Sequence, residues 1–89
     1  MATTYESITV QMTATLIVAS NNARTGLILY NNSTSDVFIG PDTSITTENT
    51  VLLNAKSSLT LSDKFAWKGA IYGIVASGTS DVRYWETEE

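Results

Sequence analysis

Short apolar runs recur along this chain, and clusters of turn-forming residues separate one run from the next. Their spacing of roughly 8–12 residues is typical of the short strands of a sandwich or barrel. β-branched and aromatic residues, which suit a pleated and half-buried surface, are common in these runs. A sustained apolar period of 3.6 residues, which would indicate an amphipathic helix, is missing. The chain is therefore expected to be all-β.

The apolar runs predict about eight strands. The first, 7–14, alternates strictly, so that Ile8, Val10 and Met12 share one face. The other predicted strands span 16–19, 27–30, 37–39, 51–53 (with Ile45 as a weaker strand before it), 57–61, 70–76 and 82–85. Polar linkers favour hairpins between 27–30 and 37–39 and between the last two strands. Because 89 residues allow only one core, we predict a single antiparallel β-sandwich of jelly-roll type.

Two further residues carry structural expectations. Gly73 interrupts the most apolar run, and a glycine inside a strand indicates a bulge or a close approach of backbone. Trp67 follows Phe65 in an irregular stretch, and we expect its indole to lie in the core.

The charge balance limits the partners. Five Lys and Arg against nine Asp and Glu give a net charge of −4, and the cations are scattered, whereas a nucleic-acid binder needs them clustered. No apolar run approaches the roughly 20 residues of a membrane-spanning helix. The N-terminus lacks the basic and apolar parts of a secretory signal. We expect no nucleic acid or membrane partner, and synthesis in a cytoplasm.

Catalytic residue types are scarce. The chain has neither Cys nor His, which excludes a Ser–His or Cys–His nucleophile and a thiolate metal site. Most carboxylates fall in predicted loops or at strand ends, where such side chains usually bond to nearby backbone: Asp36, Asp42, Glu48, Asp63 and Asp81. The prediction is that the protein is not an enzyme and holds no metal or other cofactor.

The N-terminal segment has two interpretations. Residues 1–7 are polar, and a terminus of this kind is often frayed. Alternatively the segment is an arm that adds a strand to a neighbouring subunit. We therefore divide the chain into an arm with the first strand, 1–12, and a β-sandwich domain, 13–89.

The last strand suggests a contact surface. Val82 and Tyr84 share one face, and Arg83 and Trp85 share the other. Trp and Arg are the residue types most enriched at interface hot spots. Trp85 is interpreted as a cap on the open end of the core, as a contact with another protein, or as a platform for a sugar.

Two stretches carry a family resemblance. Residues 24–33, RTGLILYNNS, continue through 37–40, VFIG, and residues 71–79, IYGIVASGT, lead into Val82 and Arg83. Over roughly residues 20–86 this pattern resembles small virion proteins of tailed bacteriophages, described as head decoration (cement), head-fibre, neck or tail proteins. The resemblance implies boundary positions for Gly26 and Gly40 and makes Arg24 and Arg83 the matched basic residues.

From the resemblance and the fold we expect a capsid cement protein, which docks on the assembled head and stabilises contacts between capsid subunits. The expected partners are the major capsid protein and copies of the chain itself, as a homotrimer, on the surface of the virion. The alternatives are another virion component (head-fibre, neck or tail module) and a carbohydrate-binding module for host glycans. The candidate interface residues are Thr4, Tyr5, Ile8, Val10, Met12, Arg24, Arg83 and Trp85.

Overall fold

The computed structural model describes residues 2–61 and 67–88, and this part of the chain contains eight β-strands and no helix. The strands are β1 (Ala2–Val10), β2 (Thr15–Val18), β3 (Arg24–Asn31), β4 (Val37–Gly40), β5 (Val51–Leu53), β6 (Ser58–Leu61), β7 (Ile71–Ile74) and β8 (Ser80–Glu88). The expectation of an all-β fold with about eight strands is confirmed. In the described ranges no helix is long and apolar enough to cross a membrane.

The strands form two four-stranded antiparallel sheets. Sheet A has the order β1-β8-β3-β6, and sheet B has the order β2-β7-β4-β5. Among the eight described strands, β4 and β5 are the only neighbours in sequence that pair with each other. The two hairpins predicted for β3 with β4 and for β7 with β8 are therefore wrong. Both connections cross from one sheet to the other, and a short polar linker has the same sequence signature in either case.

One apolar core lies between the sheets. Its buried side chains come from both of them: Val10, Ile17, Val18, Leu27, Leu29, Val37, Ile39, Leu53, Ile71, Val75 and Val82. Ile8, Leu59, Leu61 and Tyr84 pack against this cluster and are partly buried. Because the inner faces share a core, the outer faces of the two sheets point away from each other.

Strand β1 begins earlier and ends earlier than predicted. It pairs with β8 of its own chain over nine residues, from Ala2 opposite Glu88 to Val10 opposite Ser80. Residues 2–10 are thus part of sheet A, and the division into an arm and a separate domain is corrected. The alternation continues to residue 14, but the strand ends at Val10 because the chain turns there towards sheet B. Thr15 Oγ1 stabilises this turn by accepting from the Gln11 amide at 3.1 Å and donating to the Thr13 carbonyl at 2.9 Å.

Gly73 lies where side chains, and not the predicted backbone, come close to β7. A Cβ at this position would lie 2.7 Å from Cδ1 of Ile17 and 3.3 Å from Cγ1 of Val10. The bulge nearby is on the partner strand, where the register of β2 shifts between Leu16 and Val18. Ile45, predicted as a weak strand, is instead a buried residue of the loop between β4 and β5.

Candidate interaction faces

The outer face of sheet A carries an exposed apolar row. The strand register places Tyr5, Trp85 and Ile28 side by side on three neighbouring strands, and Thr60 follows on β6. The exposed fractions are 78% for Tyr5, 55% for Trp85 and 40% for Ile28. We call these three residues row A. Trp85 thus lies on the outer face and does not cap the core, and its exposed indole suits the other two interpretations, a protein contact or a sugar platform.

A polar row lies beside row A. Arg83 is exposed on β8, as predicted, and its Nε donates to Asp81 Oδ2 at 3.1 Å. Asn32 Nδ2 donates to the same oxygen at 3.0 Å. The hydrogen bond from Asn32, together with Arg83, lowers the pKa of Asp81 below its ordinary value, while partial burial opposes this shift. Arg83 therefore has its charge partner within its own chain.

The inner side of β8 holds a second polar contact. The Tyr84 hydroxyl donates to Oε2 of Glu6 on β1 at 3.1 Å. Burial raises the pKa of Tyr84, and the hydrogen bond and negative charge of Glu6 raise it further. This contact turns the only charged side chain of β1 towards β8.

The outer face of sheet B is apolar across all four strands. Leu16 lies beside Tyr72, and Phe38 lies between Ile74 and Leu52. Leu16 and Leu52 are 44% and 45% exposed, and the three side chains between them are half-buried. We call these five residues face B. The strands of sheet B contain no charged residue, whereas those of sheet A contain six.

Face B was not predicted, although its signal is present in the sequence. The runs 16–19 and 70–76 are apolar at consecutive positions, so both faces of each strand carry apolar side chains. Such runs are typical of strands covered on both sides. Since the core covers only their inner side, the apolar outer side is left exposed or half-buried. A residual apolar patch of this kind on a small protein usually indicates an interaction site.

Arg24 is buried and cannot contact a partner from this position, so its prediction as an interface residue is wrong. Its side chain is fully enclosed, and Nε donates to Glu86 Oε2 at 2.6 Å. Its other nitrogens donate to the carbonyls of Ala19 at 2.8 Å, Gly69 at 3.1 Å and Trp67. The cause is a register shift between Arg24 and Gly26, which turns Arg24 to the inner face. Strict alternation from Leu27 would have turned it outward.

The other predicted interface residues divide between the core and the surface. Val10 is fully buried in the core, so its prediction as an interface residue is also wrong, and Ile8 is half-buried against the core. Thr4, Tyr5 and Met12 are exposed. Trp67, expected in the core, is 49% exposed, and its indole nitrogen donates to the carbonyl of Ala70 at 2.9 Å. Phe65 lies outside the described residues.

The geometry defines an all-β protein of two antiparallel sheets with apolar side chains exposed on each of them. In the parts of the chain that the structure describes, no group of three or more Asp and Glu could hold a metal ion. Comparison with protein-family models, with curated proteins and with solved structures finds no match to the chain. Row A and face B are therefore the candidate functional surfaces.

Proposed function

We propose that the protein is a capsid cement protein of a tailed bacteriophage, which docks on the assembled head and holds neighbouring subunits together. The observation that carries this proposal is the presence of apolar side chains on two opposite faces, row A and face B, of one small core. A cement protein must contact more than one neighbour at once. Two faces that point in opposite directions suit this task, whereas a protein with one binding site needs only one.

We infer that the fold is a jelly-roll sandwich. The chain folds back on itself near the connection between β4 and β5, so that β1 pairs with β8, β2 with β7, β3 with β6 and β4 with β5. Rolling such a folded ribbon gives two four-stranded sheets of the observed orders. Eight antiparallel strands in two such sheets are typical of jelly-roll domains, a fold that recurs in viral capsid proteins.

Face B is the surface proposed to contact the major capsid protein. The centres of protein interfaces are depleted of charged residues and enriched in aromatic ones, and face B carries Phe38 and Tyr72 with no charged neighbour in its strands. Four short strands offer a footprint well below the roughly 800 Å² per partner of a standard interface. A single copy should bind weakly, and several linked copies should bind tightly through their effective concentration.

A charge on face B should weaken attachment to the head. The variant Leu52→Lys places an ammonium group among apolar side chains at a position already 45% exposed, so the fold should tolerate it. Its desolvation in the interface should lower the affinity for heads about tenfold or more. The measurement is co-sedimentation of the purified chain with heads of the encoding phage assembled without it.

The matched control is Asn22→Lys, which adds the same charge to an exposed turn between β2 and β3. It should bind heads like the unmodified chain. If Leu52→Lys binds heads as well as the unmodified chain does, face B is not the contact with the capsid. If the unmodified chain does not bind heads, the cement function is rejected.

A further inference from the structure

The two sheets end in four edge strands of unequal length. In the described part of the chain, β2, β5 and β6 have four, three and four residues, whereas β1 has nine. An edge strand presents unpaired N–H and C=O groups along its free side, so it is a template for another strand. The free side of β1 is therefore the longest such template in the described part of the molecule.

Most of the features that protect edge strands are missing from β1. It contains neither Pro nor Lys, and its nine pairs with β8 run without a register shift, unlike the pairing of β2. Its residues are mostly Thr, Tyr, Ile and Val, which favour extended backbone. The one charge, on Glu6, accepts the hydrogen bond from Tyr84 of the neighbouring strand. This edge is thus continuous, extended and nearly uncharged.

Row A runs directly to this edge. Ile28 lies on β3 in the middle of sheet A, Trp85 lies on the next strand, and Tyr5 lies on β1. Exposure increases along the row and is greatest at Tyr5, the most exposed large apolar side chain in the described ranges. The row therefore ends on an aromatic ring with no neighbour on its outer side.

We propose that β1 pairs antiparallel with β1 of a second copy, with Tyr5 opposite Tyr5, so that two sheets A become one eight-stranded sheet. The second copy then supplies both the missing neighbour of Tyr5 and the partners of the free backbone groups. Row A continues across the junction as Ile28, Trp85 and Tyr5 of each copy in turn. Opposed aromatic residues on neighbouring strands stabilise such a pair.

The charge on Glu6 excludes one register, and the aromatic ring of Tyr5 favours the one beside it. In a two-fold antiparallel pair, the residue numbers of any two opposed residues add up to the same value. If the two-fold axis passed through Glu6, the two Glu6 carboxylates would lie opposite each other, which is unfavourable. A centre at Tyr5 places Glu6 opposite Thr4 and Thr3 opposite Ser7 instead. The contact uses the same surface of both copies and closes at two. It therefore replaces the homotrimer that the sequence led us to expect.

This pairing rests on the part of the proposed function in which the chain binds copies of itself. It also adds to that function, because two linked copies present two faces B and so raise the avidity for the head. The face that binds the capsid and the edge that binds a second copy are separate surfaces, so each can be tested without the other.

The first measurement is the mass of the purified full chain by sedimentation velocity over the micromolar range. The pairing predicts a monomer–dimer equilibrium. Tyr5→Lys, which opposes two ammonium groups and removes the aromatic pair, should raise the dimer Kd about tenfold. Thr3→Lys, the same charge two residues away on the same face, should change it less because it faces Ser7. A chain that stays monomeric, or that forms trimers, would overturn the pairing.

The second measurement fixes the register by cross-linking, since the natural chain has no cysteine. Directly opposed residues have Cα atoms about 4.5–5.5 Å apart, within the range of a disulfide. Tyr5→Cys should therefore cross-link to itself on oxidation. Thr3→Cys alone should not, because its two copies lie about 14 Å apart along the strands. An equimolar mixture of Thr3→Cys and Ser7→Cys should give the mixed dimer.

The outcomes separate this pairing from the proposed function. Self-cross-linking of Ser7→Cys but not Tyr5→Cys would reject the register. A monomeric chain that still binds heads would reject the pairing and leave the cement function intact. A cross-linked dimer that does not bind heads would support the pairing and reject the cement function.

Discussion

At the residue scale, buried polar side chains hold both ends of β3. Arg24 begins the strand and ties it to Glu86 and to three backbone carbonyls. Asn31 ends the strand, and its Nδ2 donates to the carbonyls of Ser35 at 2.8 Å, Leu53 at 3.1 Å and Asn54 at 3.2 Å. Buried polar groups are tolerated only when they are paired in this way. These contacts join loops to the sheets, and so they keep row A and face B in fixed positions.

Removal of the buried cation should destabilise the protein strongly. Arg24→Met leaves the Glu86 carboxylate enclosed without its partner and three carbonyls without their donor. Breaking a buried ion pair at one side costs about 3–5 kcal/mol of the free energy of unfolding. The measurement is the urea unfolding curve followed by circular dichroism.

The control is Arg83→Met, which makes the same substitution in the exposed pair with Asp81. An exposed pair contributes about 1 kcal/mol or less, so this variant should stay close to the unmodified chain. Equal losses of stability in the two variants would show that the buried ion pair of Arg24 with Glu86 does not stabilise the fold as expected.

At the element scale, the packing of β2 beside β7 depends on a small residue in β7. A Cβ on Gly73 would lie 2.7 Å from Cδ1 of Ile17 on the neighbouring strand of sheet B and 3.3 Å from Cγ1 of Val10 in sheet A. The neighbouring contacts are with side chains and not with backbone, so the clash can be relieved by shortening one of them. The packing at this point therefore depends on two residues of neighbouring strands, Gly73 on β7 and Ile17 on β2.

Gly73→Ala should destabilise the protein by about 1–3 kcal/mol, because it overpacks a filled core. Ile17→Val removes Cδ1, the atom nearest the added methyl group, and should by itself cost about 0.5–1.5 kcal/mol. The double variant should lose less unfolding free energy than the two single variants lose together, because the shorter side chain at position 17 makes room for the methyl group at position 73. Strict additivity in urea unfolding would contradict the close approach.

The elements could be predicted from the sequence where their signal is local. Alternation within each run predicted most strands and placed Arg83 and Trp85 together on one face of the last strand. The inward turn of Arg24 could not be predicted, because it depends on a register shift opposite Glu88 and Thr87, sixty residues further along the chain. The start of β1 was missed for a related reason. Residues 2–7 lack an apolar pattern, and they are held by their pairing with β8.

At the scale of the whole molecule, the arrangement separates two kinds of contact. Face B lies on one side, and row A with the free edge of β1 lies on the other. In the proposed assembly face B binds the capsid, the free edge of β1 binds another copy, and row A continues across the junction between the two copies. Such a pair would span two sites on the head, and on this proposal it would resist separation of the subunits beneath it even where each single contact is weak.

The central claim is that the protein covers the phage head by means of these surfaces, and the most direct test is its stoichiometry in purified virions of the encoding phage. Quantitative mass spectrometry gives the ratio of this chain to the major capsid protein. The account predicts a ratio of the same order as the capsid subunits themselves, and loss of the chain should lower the temperature at which heads release DNA. A few copies per virion, or heads whose heat resistance does not depend on the chain, would contradict it.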